Sequence, residues 1–141
     1  MMTFSDTEMA ALSAEIDAQL RELRSRPWEG QVKAGDLETQ LVKQNQAIAT
    51  ATQEPAKRFL HKFWQAAKAD LCEEDGILHK QWQKWGDLDN KETIAKFGGL
   101  LAGMGISGEL ITPLVVSVTV IVLHIGVKAF CEEYGDRQGT V

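Results

Sequence analysis

Between Glu109 and Lys128 the chain carries LITPLVVSVTVIVLHIGV, residues 110–127, without one formal charge in an otherwise polar protein of net charge -5. A helix apolar all the way round must be enclosed by other helices or by lipid. Crossing a bilayer's hydrocarbon core takes about twenty apolar residues, so this run stands at the boundary between a buried core helix and a membrane span. Thr112 before Pro113 has the pairing expected at the cap and first position of a helix. Gly135 fits a C-terminal stop, which predicts a last helix over residues 113–134. The β-branched alternation from Val116 to Val120 favours a strand locally. The run is too long for one strand and no second strand is visible, so a helix is expected.

The rest of the chain supplies helices with one apolar face each. Ser5 and Glu8 have the spacing of a capping box, and Met9, Leu12, Ile16, Leu20 and Leu23 recur at steps of three and four, an amphipathic stripe that needs a partner. Residues 27–35 read as a connection and Asp36 as the cap of a second helix. Leu37, Leu41 and Ile48 line that helix, but Gln44 and Asn45 interrupt the stripe, so only partial burial is expected. After Pro55, the residues Phe59, Leu60, Phe63, Trp64, Ala67 and Leu71 form a broad aromatic face ending near Gly76. Its burial should contribute roughly 1.5 to 3 kcal/mol for each large side chain. A short helix with Leu78, Trp82 and Trp85 on one face closes at Gly86, and Asp89 with Glu92 repeats the capping-box spacing.

These patterns predict a single all-α domain, a bundle of about five to six helices. Residues 1–93 form its amphipathic, acidic part, and residues 94–141 a glycine-rich apolar segment followed by the hydrophobic helix. Glu109 is the sole charge between Lys96 and Lys128. Ala95, Gly99 and Gly103 are spaced by four, which leaves one helix side nearly bare backbone, suited to close approach of another helix in lipid or in a core.

The chemistry-bearing residues are sparse. Ser117, His124 and Lys128 align with Ile121 in one stripe of the last helix; such a stripe lines a pore, relays protons or bonds a neighbouring helix. His61, His79, His124, Cys72 and Cys131 are scattered singly, without metal-ligand spacing. The acidic segments 73–75 and 87–93 read as a solvated helix end and as helix capping rather than cation sites. Cys72 and Cys131 each adjoin paired glutamates, which disfavours a thiolate. Two cysteines without C-x-x-C spacing suggest thiols in a reducing compartment. The basic cluster Lys57, Arg58, Lys62 and Lys68 fits the solvated face of one helix, and the net acidity argues against nucleic acid as a partner. With no catalytic motif in view, no enzymatic activity and no cofactor are expected.

Two readings follow. In the first, a non-enzymatic protein faces the cytosol with its acidic helices while the C-terminal part engages a membrane, as a tail-type anchor or a conditional pore or lysis effector. In the second, a helical bundle acts as a protein-interaction module or complex subunit, with residues 113–127 as its core or obligate interface. In either, the residues expected to meet lipid or a partner helix are Gly99, Gly103, Leu114, Val118, Ile121, Val122 and Ile125, and a homo-oligomer or complex subunit is expected. Cytoplasmic location is expected, with membrane association in the first reading; Lys91 and Lys96 place the preceding helices on the cytosolic side. In outline the arrangement resembles pore-forming colicin domains, in which amphipathic helices surround a hydrophobic helix or hairpin. The resemblance implies a mechanism, and no motif carries over residue by residue.

Overall fold

The computed structural model describes residues 5–25, 41–73, 75–85, 90–106 and 108–134. Among them are seven helices and no strand: α1 (Asp6–Ser25), α2 (Val42–Thr52), α3 (Ala56–Leu71), α4 (Ile77–Trp85), α5 (Asn90–Gly103), α6 (Gly108–Ile125) and α7 (Val127–Tyr134). The expected all-α bundle is present. Asp36, Gly86, Asp89 and Gly135, expected to bound helices, lie outside the described residues.

Local chemistry accounts for where the helices begin and end. At the start of α1 the Ser5 N–H donates to Glu8 Oε1 at 3.0 Å and the Glu8 N–H donates to Ser5 Oγ at 3.1 Å, the reciprocal bonds of a capping box. The Ser5 backbone N–H and then its hydroxyl hold the Glu8 carboxyl below the ordinary carboxylate pKa. Because that folded-state pKa is depressed, the box helps folding at neutral pH and loses its contribution as pH falls through the lowered value. Between α3 and α4 a Cβ at Gly76 would collide with the backbone carbonyls of Ala69 and Asp70, so this sharp turn admits only glycine. His79 Nδ1 donates to the Leu71 carbonyl at 3.1 Å across the same corner.

The helix predicted over 113–134 is divided and extended. α6 begins five residues earlier, at Gly108, with Thr112 and Pro113 inside its first turns rather than at its cap. Pro113 is sixth in the helix, beyond the first four N–H groups that have no intrahelical partner in any case, so it forgoes the one bond that a residue there would donate to the Glu109 carbonyl. At the other end Gly126 adopts φ +94°, a left-handed conformation that glycine reaches without steric cost. There α6 stops, and α7 begins at Val127.

The bundle is arranged around α6, which packs on α1, α2, α5 and α7. α3 forms the outer counterpart, packing on α2, α4, α5 and α7. Phe63 of α3 is fully buried and meets Phe97 of α5 edge-on at 4.9 Å and Phe130 of α7 at 6.3 Å. That aromatic knot ties three helices together, and the Cys72–Cys131 disulfide, with Cα atoms 6.0 Å apart, fastens α7 to the end of α3. The reading of both cysteines as thiols is thereby corrected, and with it the basis for expecting a reducing compartment, since disulfides persist chiefly in oxidising ones. The cause lies in the fold: residues 59 apart in sequence are brought together only by the packing of α7 on α3.

Replacing Phe63 with alanine should lower unfolding stability by about 3 to 5 kcal/mol, the usual effect of a large aromatic cavity. Replacing both cysteines with serine should cost about 4 kcal/mol, from the loop-closure entropy of a cross-link of this span. Urea denaturation of each variant against the oxidised parent measures both.

Candidate functional site

α6 is 18 residues long, roughly 27 Å at 1.5 Å per residue, and carries no polar face. Every residue from 114 to 122 is buried, about two and a half helical turns. Leu114, Val118, Ile121 and Val122, expected to meet lipid or a partner helix, are each 0% exposed. Their partners here are the chain's own α1, α2 and α5. Ile125 is half-buried at the α7 end. The same helix is the one described element long and apolar enough to cross a membrane by length and composition.

Gly99 and Gly103 sit elsewhere. Together with Ala95 they lie on the exposed side of α5, and a Cβ at either glycine would meet nothing within 4 Å. α5 packs on α6 through its other side, with Ile94, Phe97 and Leu101 fully buried. The close backbone approach suggested by the glycine spacing is therefore not used inside this bundle. α5 and α6 follow each other in sequence, with a turn at Met104 and Gly105, and pack together as a hairpin in which the outer side of α5 is small and its inner side apolar.

Two members of the expected polar stripe, Ser117 and His124, stay on α6. Ser117 is buried, His124 is half-buried near the end of α6, and Lys128 falls on α7, beyond the break at Gly126. The Thr119 hydroxyl, which might have bonded the preceding turn, is buried without a hydrogen-bond partner. No group of His, Cys, Asp and Glu among the described residues is arranged to hold a metal ion.

The sheath around α6 has one polar seam, which the sequence pattern did not disclose. Gln44 of α2 and Gln19 of α1 are both buried, and the Gln44 side-chain amide donates to Gln19 Oε1 at 2.7 Å. The Gln19 amide donates in turn to Glu15 Oε1 at 2.9 Å, while Gln44 Oε1 has no partner. Gln44, which reads in sequence as an interruption of the α2 stripe, thus makes the cross-helix bond. Beside this seam is a shallow, mainly apolar groove of about 390 Å³ lined by Leu12, Glu15, Gln19, Ala47, Thr112, Pro113, Val116 and Ser117. There the first turns of α6 reach the surface, with Leu110, Thr112 and Pro113 exposed.

A seam of paired amides parts more readily in water than apolar packing does, because both partners recover hydrogen bonds to solvent. The junction of α1 and α2 is thus the polar part of the covering of α6, whereas the disulfide and the phenylalanine knot hold α3, α5 and α7 to one another. Comparison with known proteins finds no matching family, no similar characterised protein and no similar solved structure.

Truncating one amide of the seam should cost about 1 to 3 kcal/mol by leaving the other buried and unpaired. Changing both, Gln19→Leu with Gln44→Leu, should recover most of that loss or exceed the parent. Denaturation midpoints of the two single variants and the double variant test the coupling, and simple additivity would show that the amides act independently.

Proposed function

We propose that this is a non-enzymatic protein that stores a membrane-active helix, α6, inside an amphipathic sheath and engages a lipid bilayer with it once the sheath opens. The observation that carries this reading is the enclosure itself: a helix of spanning length with no polar face, its residues 114–122 enclosed by amphipathic helices. In a chain of 141 residues a fully apolar central helix is more than a small core requires, since bundles of amphipathic helices bury their apolar stripes against one another. Residues of the lipid-facing surface would be those now in the core, including Leu114, Val118, Ile121 and Val122. In the opened form the bare side of α5, with Gly99 and Gly103, would give α6 hairpins a close-packing face for association in the membrane.

Three features support a conditional rather than permanent engagement. Burial of α6 removes its apolar surface from lipid in the closed state. The amide seam between α1 and α2 offers a place to part. The Cys72–Cys131 bond opposes parting at the other end, because it tethers α7, and through Gly126 the end of α6, to α3. Reduction by a dithiol adds two electrons and two protons to the disulfide, yields two thiols and oxidises the dithiol, and it removes that tether. The competing reading, an interaction module with α6 as permanent core, rests on the same burial and predicts that no condition releases the helix.

Flotation of the protein with phosphatidylcholine vesicles, followed by a carbonate wash, separates the two. The oxidised protein should stay in the aqueous fraction, and the dithiol-treated protein should become carbonate-resistant. Thr112→Asp, at an exposed position where folding should be unaffected, shortens the uncharged span and should abolish that resistance. Val120→Asp should instead unfold the closed bundle, because it buries an unpaired carboxylate. A monodisperse protein that never resists the wash, oxidised or reduced, overturns membrane engagement.

A further inference from the structure

The outer surface of the bundle is charge-segregated. Among the described side chains of α1, the exposed charged ones are Asp6, Glu8, Glu15, Asp17 and Glu22 against Arg21. On α3 they are Lys57, Arg58, Lys62 and Lys68, with no acid among the helix's exposed residues. Its one acid, Asp70, is half-buried and pairs with Lys96 at 3.5 Å. Glu54, just before the helix, is also partly buried and is shared between Arg58 at 3.9 Å and Lys62 at 3.1 Å. It offsets one of the four positive charges. Lys57 has no such carboxylate among the described residues, and Lys68 lies 5.4 Å over the Trp64 ring, which fixes its ammonium on this face. Pro55, Lys57, Arg58, His61 and Lys62 line a shallow surface depression of about 450 Å³ on the same side.

We propose that this face of α3 docks the closed protein onto an anionic lipid surface, as the step before α6 is released. The inference rests on the membrane reading above and adds the lipid chemistry and the face that recognises it. Charge complementarity carries it: the protein as a whole is acidic, yet one helix face is purely basic. At physiological salt only charges within about 8 Å of a surface act on it strongly, so net charge matters less than the side presented. α1 packs on α5 and α6 and shares with α3 only α5 as a principal neighbour, so the acidic helix need not approach the headgroups when α3 does. A nucleic-acid duplex would demand basic contacts tracking its backbone, whereas a planar surface needs a single flat face. The docked orientation also sets the disulfide, at the end of α3, near the bilayer.

Vesicles of equimolar phosphatidylserine and phosphatidylcholine, compared with pure phosphatidylcholine, test this on the oxidised full chain by co-sedimentation. Binding to the anionic vesicles alone, weakened by raised salt and reversed by a salt wash, is the expected result. Each basic residue near such a surface is worth about fivefold in affinity. Lys57→Gln with Lys68→Gln, which leaves the Glu54 pairs intact, should therefore weaken binding by about 25-fold, and the quadruple variant further. Unchanged helical circular dichroism confirms that these exposed substitutions spare the fold. Equal binding to both vesicle types, or binding unaffected by the substitutions, overturns the docking face while leaving insertion of α6 intact. Failure of both oxidised and reduced protein to bind any vesicle overturns docking and membrane engagement together. Loss of self-association in the quadruple variant, with vesicle binding unchanged, would instead assign the face to contact with α1 of a second copy.

Discussion

The structure depends on one physical demand, that a helix with no polar side be kept from water. Each buried apolar side chain of α6 favours enclosure by roughly 1.5 to 3 kcal/mol, and because burial runs unbroken from 114 to 122 no single partner helix suffices. α1, α2 and α5 each lend their apolar stripe, and their other faces, charged on α1 and small on α5, lie at the surface. Of the amphipathic helices that precede α6 in sequence, α1, α2 and α5 form its covering, and α3 backs α2 and α5.

That covering is not uniform. Around α3, α5 and α7 the contacts are aromatic and covalent: Phe63, Phe97 and Phe130 interlock, and the Cys72–Cys131 bond closes the corner. Between α1 and α2 it relies on Gln19 and Gln44. A polar pair fixes how two helices register but adds little net stability, since water offers the same bonds when they separate. The bundle thus has an end held by a disulfide and aromatic contacts and, between α1 and α2, a seam held by an amide hydrogen bond.

Much of this was legible from local pattern. The Ser5–Glu8 box, the α1 stripe and the aromatic face of α3 are read correctly because helix periodicity and capping are short-range properties. The continuous apolar run announced a helix needing enclosure on all sides. Other features misled for equally physical reasons. Gln44 looked like a flaw in a stripe because its partner lies 25 residues away. The alignment of Ser117, His124 and Lys128 assumed one continuous helix, which Gly126 breaks with its positive φ. The spacing of Gly99 and Gly103 correctly described a bare helix side, but spacing does not say which side a neighbour takes.

The sequence by itself determined that this protein is all-α, that one helix is apolar on every side and that the others are amphipathic, because each of these follows from side-chain chemistry at a period of 3.6 residues. Only the tertiary structure decided that the chain encloses that helix with its own α1, α2 and α5, that Cys72 and Cys131 are joined, and that the basic residues of α3 lie on a face apart from the acids of α1. Those outcomes depend on which distant segments meet, and contact between residues far apart in sequence leaves no trace in the pattern of either segment alone.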